Sequence, residues 1–149
     1  MILRPATPAD VPVLDDIAAR AYGVYIERLG GRRPRPMRDD YAERVRAADV
    51  FVAEDDAGIT GMIVLVREPD HLLVENVAVD PDRQRAGVGR ALMGRAEQFA
   101  RESGFREVRL FTNVIMTRNQ AIYRHLGYRE DGRSIEADFQ RVYFSKTVG

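Results

Sequence analysis

The chain has 149 residues, enough for one domain around one core, and its 23 basic and 23 acidic residues cancel to a formal charge of zero. That balance argues against a general nucleic-acid binder, which carries a basic excess. With no cysteine and with His71 and His125 as the two histidines, disulfides, thiolate metal sites and cysteine nucleophiles are excluded, and no metal site is expected. No stretch approaches the ~20 apolar residues that span a bilayer, and Met1-Ile2-Leu3-Arg4-Pro5 lacks the apolar run of a signal peptide. The expectation is a soluble, cytoplasmic, single-domain protein with neither a membrane nor a nucleic-acid partner.

In chain order, Ile2-Leu3-Arg4 reads as a short strand. Thr7-Pro8-Ala9-Asp10 is a helix start: Pro suits the first helical position, and Asp10 can reach back to the amide of Thr7. Val11, Leu14, Ile17, Ala18 and Ala21 follow at helical spacing, which predicts a helix running towards Leu29. Gly30-Gly31-Arg32-Arg33-Pro34-Arg35-Pro36 breaks it, either as a plain solvated connection or as an acceptor-binding loop. A second short helix is expected over residues 39–48. Val50 to Ala53 and Ile59 to Val66 form a hairpin about the turn Asp55-Asp56-Ala57-Gly58. Leu72 to Val79 is a further strand, ended by Asp80-Pro81-Asp82.

Residues 87–103 predict a helix with the apolar stripe Val88, Leu92, Ala96 and Phe99, stopped by Gly104. Val108 to Thr112 returns as a strand. Asn119 to Leu126 is a short helix before Gly127, and Arg141 to Phe144 a final strand.

The segment Gln84 to Arg90 carries the clearest chemical signal. A strand ends at Val79, a short loop follows, and a helix opens on glycines. The first turn of a helix leaves backbone N–H groups without partners, usually met by a Ser, Thr, Asp or Asn cap. Gln84, Arg85 and Ala86 offer no such cap, while Gly87 and Gly89 remove side chains that would block close approach. A pyrophosphate suits such donors at the positive end of the helix dipole. Spacing alone leaves open a helix start whose amides meet water and whose glycines serve packing. Neither Gly-Lys-Ser/Thr nor Gly-x-Gly-x-x-Gly is present, so the nucleotide P-loop and the dinucleotide fingerprint do not fit.

Val77-Ala78-Val79-Asp80-Pro81, followed by Gln84-x-x-Gly87-x-Gly89-x-Ala91-Leu92, resembles the coenzyme A motif of the GCN5-related N-acetyltransferases, which carry Gln/Arg-x-x-Gly-x-Gly/Ala after their fourth strand. Asn119-Gln120-Ala121-Ile122-Tyr123-Arg124-His125-Leu126-Gly127-Tyr128 is similar to that family's second signature. The resemblance is most specific from Leu72 to Tyr128 and loose in the first third. It implies an α/β fold: a mixed, mostly antiparallel, twisted sheet of about six to seven strands with helices on both faces. The strands around Val77 and Val108 would run parallel, splaying near Val77.

It further implies acetyl-CoA as cosubstrate. Arg85, Ala86, Gly87, Val88, Gly89 and Arg90 would wrap the pyrophosphate through backbone amides, with charge from Arg85 and Arg90. Val77, Ala78 and Val79 would lie along the pantetheine arm, and Asn119 would hold that arm.

Acetyl transfer to an amine must remove a proton from an ammonium of pKa near ~10.4, stabilise an oxyanion and protonate a thiolate. The resemblance assigns the last task to Tyr123. Glu75, on the same strand face as Val77 and Val79 by alternation, is the candidate base; the alternatives are a carboxylate that merely attracts the amine, or a water chain. The family places acceptor groups on the first helices and their connection, here Tyr22, Tyr25, Arg35, Met37 and Tyr41, with Asn113 and Thr112 at a strand end. Arg32, Arg33 and Arg35 suggest an acceptor bearing a carboxylate or phosphate. The expected partner is a small-molecule or protein amine. A non-catalytic coenzyme A-binding module, a longer acyl donor and an alcohol acceptor are the competing readings, and the oligomeric state is open, a homodimer included.

Overall fold

The computed structural model describes residues 1–47, 49–83, 87–136 and 139–149. A seven-stranded sheet has the order β1-β2-β3-β4-β5-β7-β6, with β1 Ile2–Pro5, β2 Val50–Asp55, β3 Gly58–Arg67, β4 Leu72–Val79, β5 Glu107–Asn113, β6 Arg129–Glu136 and β7 Phe139–Thr147. The α-helices are α1 Val11–Tyr22, α2 Tyr41–Arg46, α3 Val88–Glu102 and α4 Thr117–His125. Two compact units divide them: Met1–Val64 with Asn76–Arg95, and Leu65–Glu75 with Ala96–Gly149.

In the first unit β1, β2 and β3 pair antiparallel in succession. The Asp10 carboxylate accepts from the Thr7 amide at 2.7 Å, as the sequence suggests, and takes two bonds from the Arg4 guanidinium at 2.8 and 3.1 Å. Leu14, Ile17, Ala18 and Tyr22 form the buried stripe of α1. The helix does not continue to Leu29. After Tyr22 the bonding tightens into single 3-10 turns, Gly23–Tyr25 and Glu27–Leu29. Gly23 there is a poor helix former, and the left-handed Gly30 and Gly31 end the run. The second helix is shorter than residues 39–48, because Asp40 caps it by accepting from the Glu43 amide at 3.1 Å.

Alternation along β4 gives its two faces different neighbours. The Tyr22 hydroxyl of α1 reaches the Asn76 side chain, whereas α3 lies against Val79, whose Cγ2 is 3.7 Å from the position a Cβ on Gly89 would take. Positions 76 and 79 point to opposite sides of a strand, so helices lie on both faces.

In the second unit β4 pairs parallel with β5, Leu72 to Val74 opposite Val108 to Leu110, and β5 pairs antiparallel with β7. β6 is a strand the sequence pattern does not reveal: Arg129–Glu136 is charged and exposed almost throughout, without apolar alternation. It is held by backbone pairing to β7 rather than by burial. Glu97 is buried and accepts from Lys146 Nζ at 2.9 Å and from the Tyr128 hydroxyl at 3.2 Å; Lys146 also donates to the Leu126 carbonyl at 2.9 Å.

Two outcomes are expected. A Cβ at Gly61 would stand 2.9 Å from Val88 Cγ1, 3.0 Å from the Ala78 carbonyl and 3.1 Å from Leu92 Cδ1. Gly61→Ala is therefore destabilising by about 1–3 kcal/mol through overpacking, measurable by urea denaturation. Arg4 holds the Asp10 carboxyl down at about 2, against an ordinary 3.8. Because the folded value is the lower one, this contribution is complete above the unfolded value and is lost as pH falls towards 2. Acid melts of Asp10→Asn lack that part of the slope.

Candidate active site

The candidate residues lie on β4 and the start of α3, and on the β5–α4 region. Along β4, Leu72, Val74, Asn76 and Ala78 are buried while Leu73, Glu75, Val77 and Val79 are half-buried, so Glu75, Val77 and Val79 share the less covered face.

In the first unit, Asn76 lies within a buried hydrogen-bond chain. The Tyr22 hydroxyl donates to Asn76 Oδ1 at 2.6 Å and lies 2.9 Å from the Val77 carbonyl. Asn76 Nδ2 donates to the Tyr41 hydroxyl at 2.9 Å, which donates in turn to the Pro36 carbonyl at 2.5 Å. Burial, reinforced by Asp39, pushes the Tyr41 phenol above its ordinary value. Tyr22 and Tyr41, both candidates for acceptor contact, thus have hydroxyls engaged within the fold. Tyr25, Arg35 and Met37 are half-buried, and Arg35 Nη1 lies 3.9 Å from Asp39.

Beyond Val79, Asp80 anchors the turn that leads towards α3. Its amide donates to the Thr60 carbonyl at 2.8 Å, its carboxylate takes a bidentate pair from Arg20 at 2.9 Å each, and the Asp82 amide donates to it at 3.0 Å. These bonds hold the Asp80 carboxyl below its ordinary value. Gln84, Arg85 and Ala86 lie outside the described residues. Gly87 has φ of 77° and its carbonyl accepts the Ala91 amide at 3.0 Å. Gly87 therefore stands at the capping position of α3, in a conformation that favours glycine, and it has no side chain to satisfy the first-turn amides of Val88, Gly89 and Arg90. Among the described residues, a Cβ on Gly87 would meet nothing within 4 Å, unlike one on Gly61. Packing thus explains Gly61, and backbone conformation explains Gly87.

In the second unit, Tyr123 is buried, its ring 6.3 Å from that of Tyr128 and 5.8 Å from that of Phe144. Burial alone raises its phenol well above the ordinary value. Among the described residues its hydroxyl has no hydrogen-bond partner. Asn113 and Asn119 lie on either side of the β5–α4 turn. Asn113 Oδ1 accepts the Ile115 amide at 3.1 Å, and the Met116 sulfur accepts from Thr112 at 3.5 Å and from Asn119 at 3.8 Å. Gln120, a neighbour of Asn119 that its residue type does not single out, donates to the Asn113 and Val114 carbonyls at 3.3 and 2.9 Å and ties the turn to α4. His125 is exposed, and His71 pairs with Asp70 at 2.7 Å.

Asn76 is the residue least visible from sequence. One polar residue among Leu72, Val74 and Ala78 on a buried face is the available signal, since a buried amide implies partners.

Residues 46–130, more than half of the chain, match the family model described as the acetyltransferase (GNAT) domain. The chain belongs to the GNAT acetyltransferase family. It is 30% identical over 109 residues to human N-acetyltransferase 8, an alignment spanning 69% of this chain and 48% of that protein, so the chain spans about half the length of the curated relative. Among solved structures it resembles the PaiA N-acetyltransferase of Thermoplasma acidophilum in complex with coenzyme A, with a TM-score of 0.80, 14% identity and 98% of each chain covered. It also resembles the Escherichia coli ribosomal-protein-S18-alanine N-acetyltransferase, with a TM-score of 0.75, 19% identity and coverage of 99% of this chain and 94% of that one. At these identities the structures establish the GNAT fold.

Tyr41→Phe removes both the acceptor of the Asn76 amide and the donor to Pro36. The expected cost is about 1–3 kcal/mol, seen as a lower denaturation midpoint with an unchanged m-value.

Proposed function

We propose that this GNAT domain is a single-domain, cytoplasmic, acetyl-CoA-dependent N-acetyltransferase acting on a primary amine of a small molecule or protein, by direct attack within a ternary complex. The observation that carries the reading is the opening of α3 on Gly87, a capping position without a capping side chain and with nothing among the described residues within 4 Å of where a Cβ would stand. Residues 84–90 would hold the pyrophosphate through backbone amides, with Arg85 and Arg90 adding charge. Val77, Ala78 and Val79 would run beside the pantetheine arm, and Asn119 would fix it.

The reaction forms a C–N bond as the thioester C–S bond breaks. The ammonium proton would pass to Glu75 directly or through water; Tyr123 would protonate the departing thiolate, and the second proton that the nitrogen sheds as the amide forms would restore the phenol. Two features support Tyr123: its hydroxyl has no partner among the described residues, and burial keeps it protonated. A backbone N–H near Val77 would face the oxyanion.

Calorimetry with acetyl-CoA and coenzyme A tests the cradle: measurable binding is expected, and Gly89→Glu should weaken it at least tenfold by placing a carboxylate at the phosphates. Thiol release across an amine panel tests the chemistry. Tyr123→Phe should lower kcat by about 100-fold while leaving acetyl-CoA affinity within a factor of two or so. Binding without thiol release from any amine would instead identify a coenzyme A-binding module.

A further inference from the structure

Between residues 27 and 38 the chain carries five arginines and one carboxylate, Glu27, although its overall charge is zero. The structure sorts these arginines. Arg35 approaches Asp39 at 3.9 Å, while Asp39 is bound at 3.1 Å by Arg44. Arg32 Nε donates to the Leu29 carbonyl at 2.9 Å. Arg28, Arg33 and Arg38 are exposed and have no carboxylate partner among the described residues; Arg38 Nε reaches the Arg33 carbonyl. Asp40, the next acid along, is occupied as the cap of α2. Elsewhere pairing is the rule, as at Arg4, Arg20, Arg83, Arg124 and Arg141, each with a carboxylate.

The segment is also held in place. Left-handed Gly30 and Gly31 turn the chain, and Pro34 and Pro36 restrict it. The Pro36 carbonyl is tied through the Tyr41 hydroxyl to Asn76 on β4. A segment carrying three exposed guanidinium groups without carboxylate partners among the described residues is thus tied to Asn76, the residue before Val77, the strand position assigned above to the thioester arm.

We propose that this segment recognises an anionic group on the acceptor: the amine to be acetylated carries a carboxylate or a phosphate, and Arg28, Arg33 and Arg38 attract and orient it. The inference rests on the transferase reading above. A guanidinium stays charged at any working pH and offers forked donors that match both oxyanions. Because these arginines are exposed, their attraction is screened over roughly 8–10 Å at moderate salt.

The test compares matched acceptors with the full chain and acetyl-CoA, following thiol release: glycine against glycinamide for the carboxylate, and phosphoethanolamine against ethanolamine for the phosphate. The chain is expected to prefer the anionic member of at least one pair, and the pair showing the preference identifies the anion. In the triple variant Arg28→Ala, Arg33→Ala, Arg38→Ala the anionic-to-neutral ratio of kcat/KM should fall at least tenfold. The corresponding triple lysine variant should keep most of it, and added salt should lower it in the unaltered chain. An unchanged ratio in the alanine variant, or no preference in the unaltered chain, overturns the proposal while acetylation of neutral amines leaves the transferase reading standing. No thiol release with any amine overturns both.

Discussion

A buried primary amide must find partners or destabilise the fold, and in this GNAT domain the Asn76 side chain finds them on two separate helices. Its oxygen accepts from Tyr22 at the end of α1, and its nitrogen donates to Tyr41 at the start of α2. A hydrophobic residue at this position would offer neither helix a bond of defined length to β4. The Arg20–Asp80 pair adds a second fixed point four residues further on. The elements that precede β2 are thereby registered on the strand that carries Glu75, Val77 and Val79.

Buried tyrosines recur in the molecule with different consequences. Tyr41, Tyr123 and Tyr128 all have phenols pushed above the ordinary value, chiefly by burial. Tyr41 and Tyr128 have their hydroxyls engaged, by Asn76 and Pro36 in one case and by Glu97 in the other. Tyr123 combines the same shift with a hydroxyl that the described fold does not use. Under the proposed chemistry that unengaged hydroxyl is the one assigned to the departing thiolate, whereas Tyr41 and Tyr128 hold the fold together.

Much of this architecture is written in the sequence where burial is periodic. The stripe Val88, Leu92, Ala96 and Phe99 is buried along α3, and the alternation of β4 places Glu75 with Val77 and Val79. Where structure depends on pairing rather than burial, the pattern is silent. β6 is charged and exposed, so nothing in Arg129–Glu136 marks it as a strand until β7 lies beside it. Gly61 and Gly87 look alike in sequence, yet one is required by contact with Val88 and Leu92 and the other by a left-handed backbone. The hydroxyls of Tyr22 and Tyr41 suggested ligand contacts because their partners, Asn76 and Pro36, are remote in sequence from at least one of them. The family motifs supplied Asn119 and Tyr123, but the tie made by Gln120 depends on the path of the turn at 113–116.

Lys146 is the sole lysine of the chain, and its ammonium is engaged by Glu97 and the Leu126 carbonyl. All its other permanent side-chain cations are guanidinium groups, which remain protonated and non-nucleophilic at neutral pH. Under the proposed chemistry the protein works beside a reactive thioester while presenting it almost no amine of its own. Its surface charge is therefore proof against slow self-modification, and its one vulnerable side chain is shielded by the same ion pair that fastens β7 to α3.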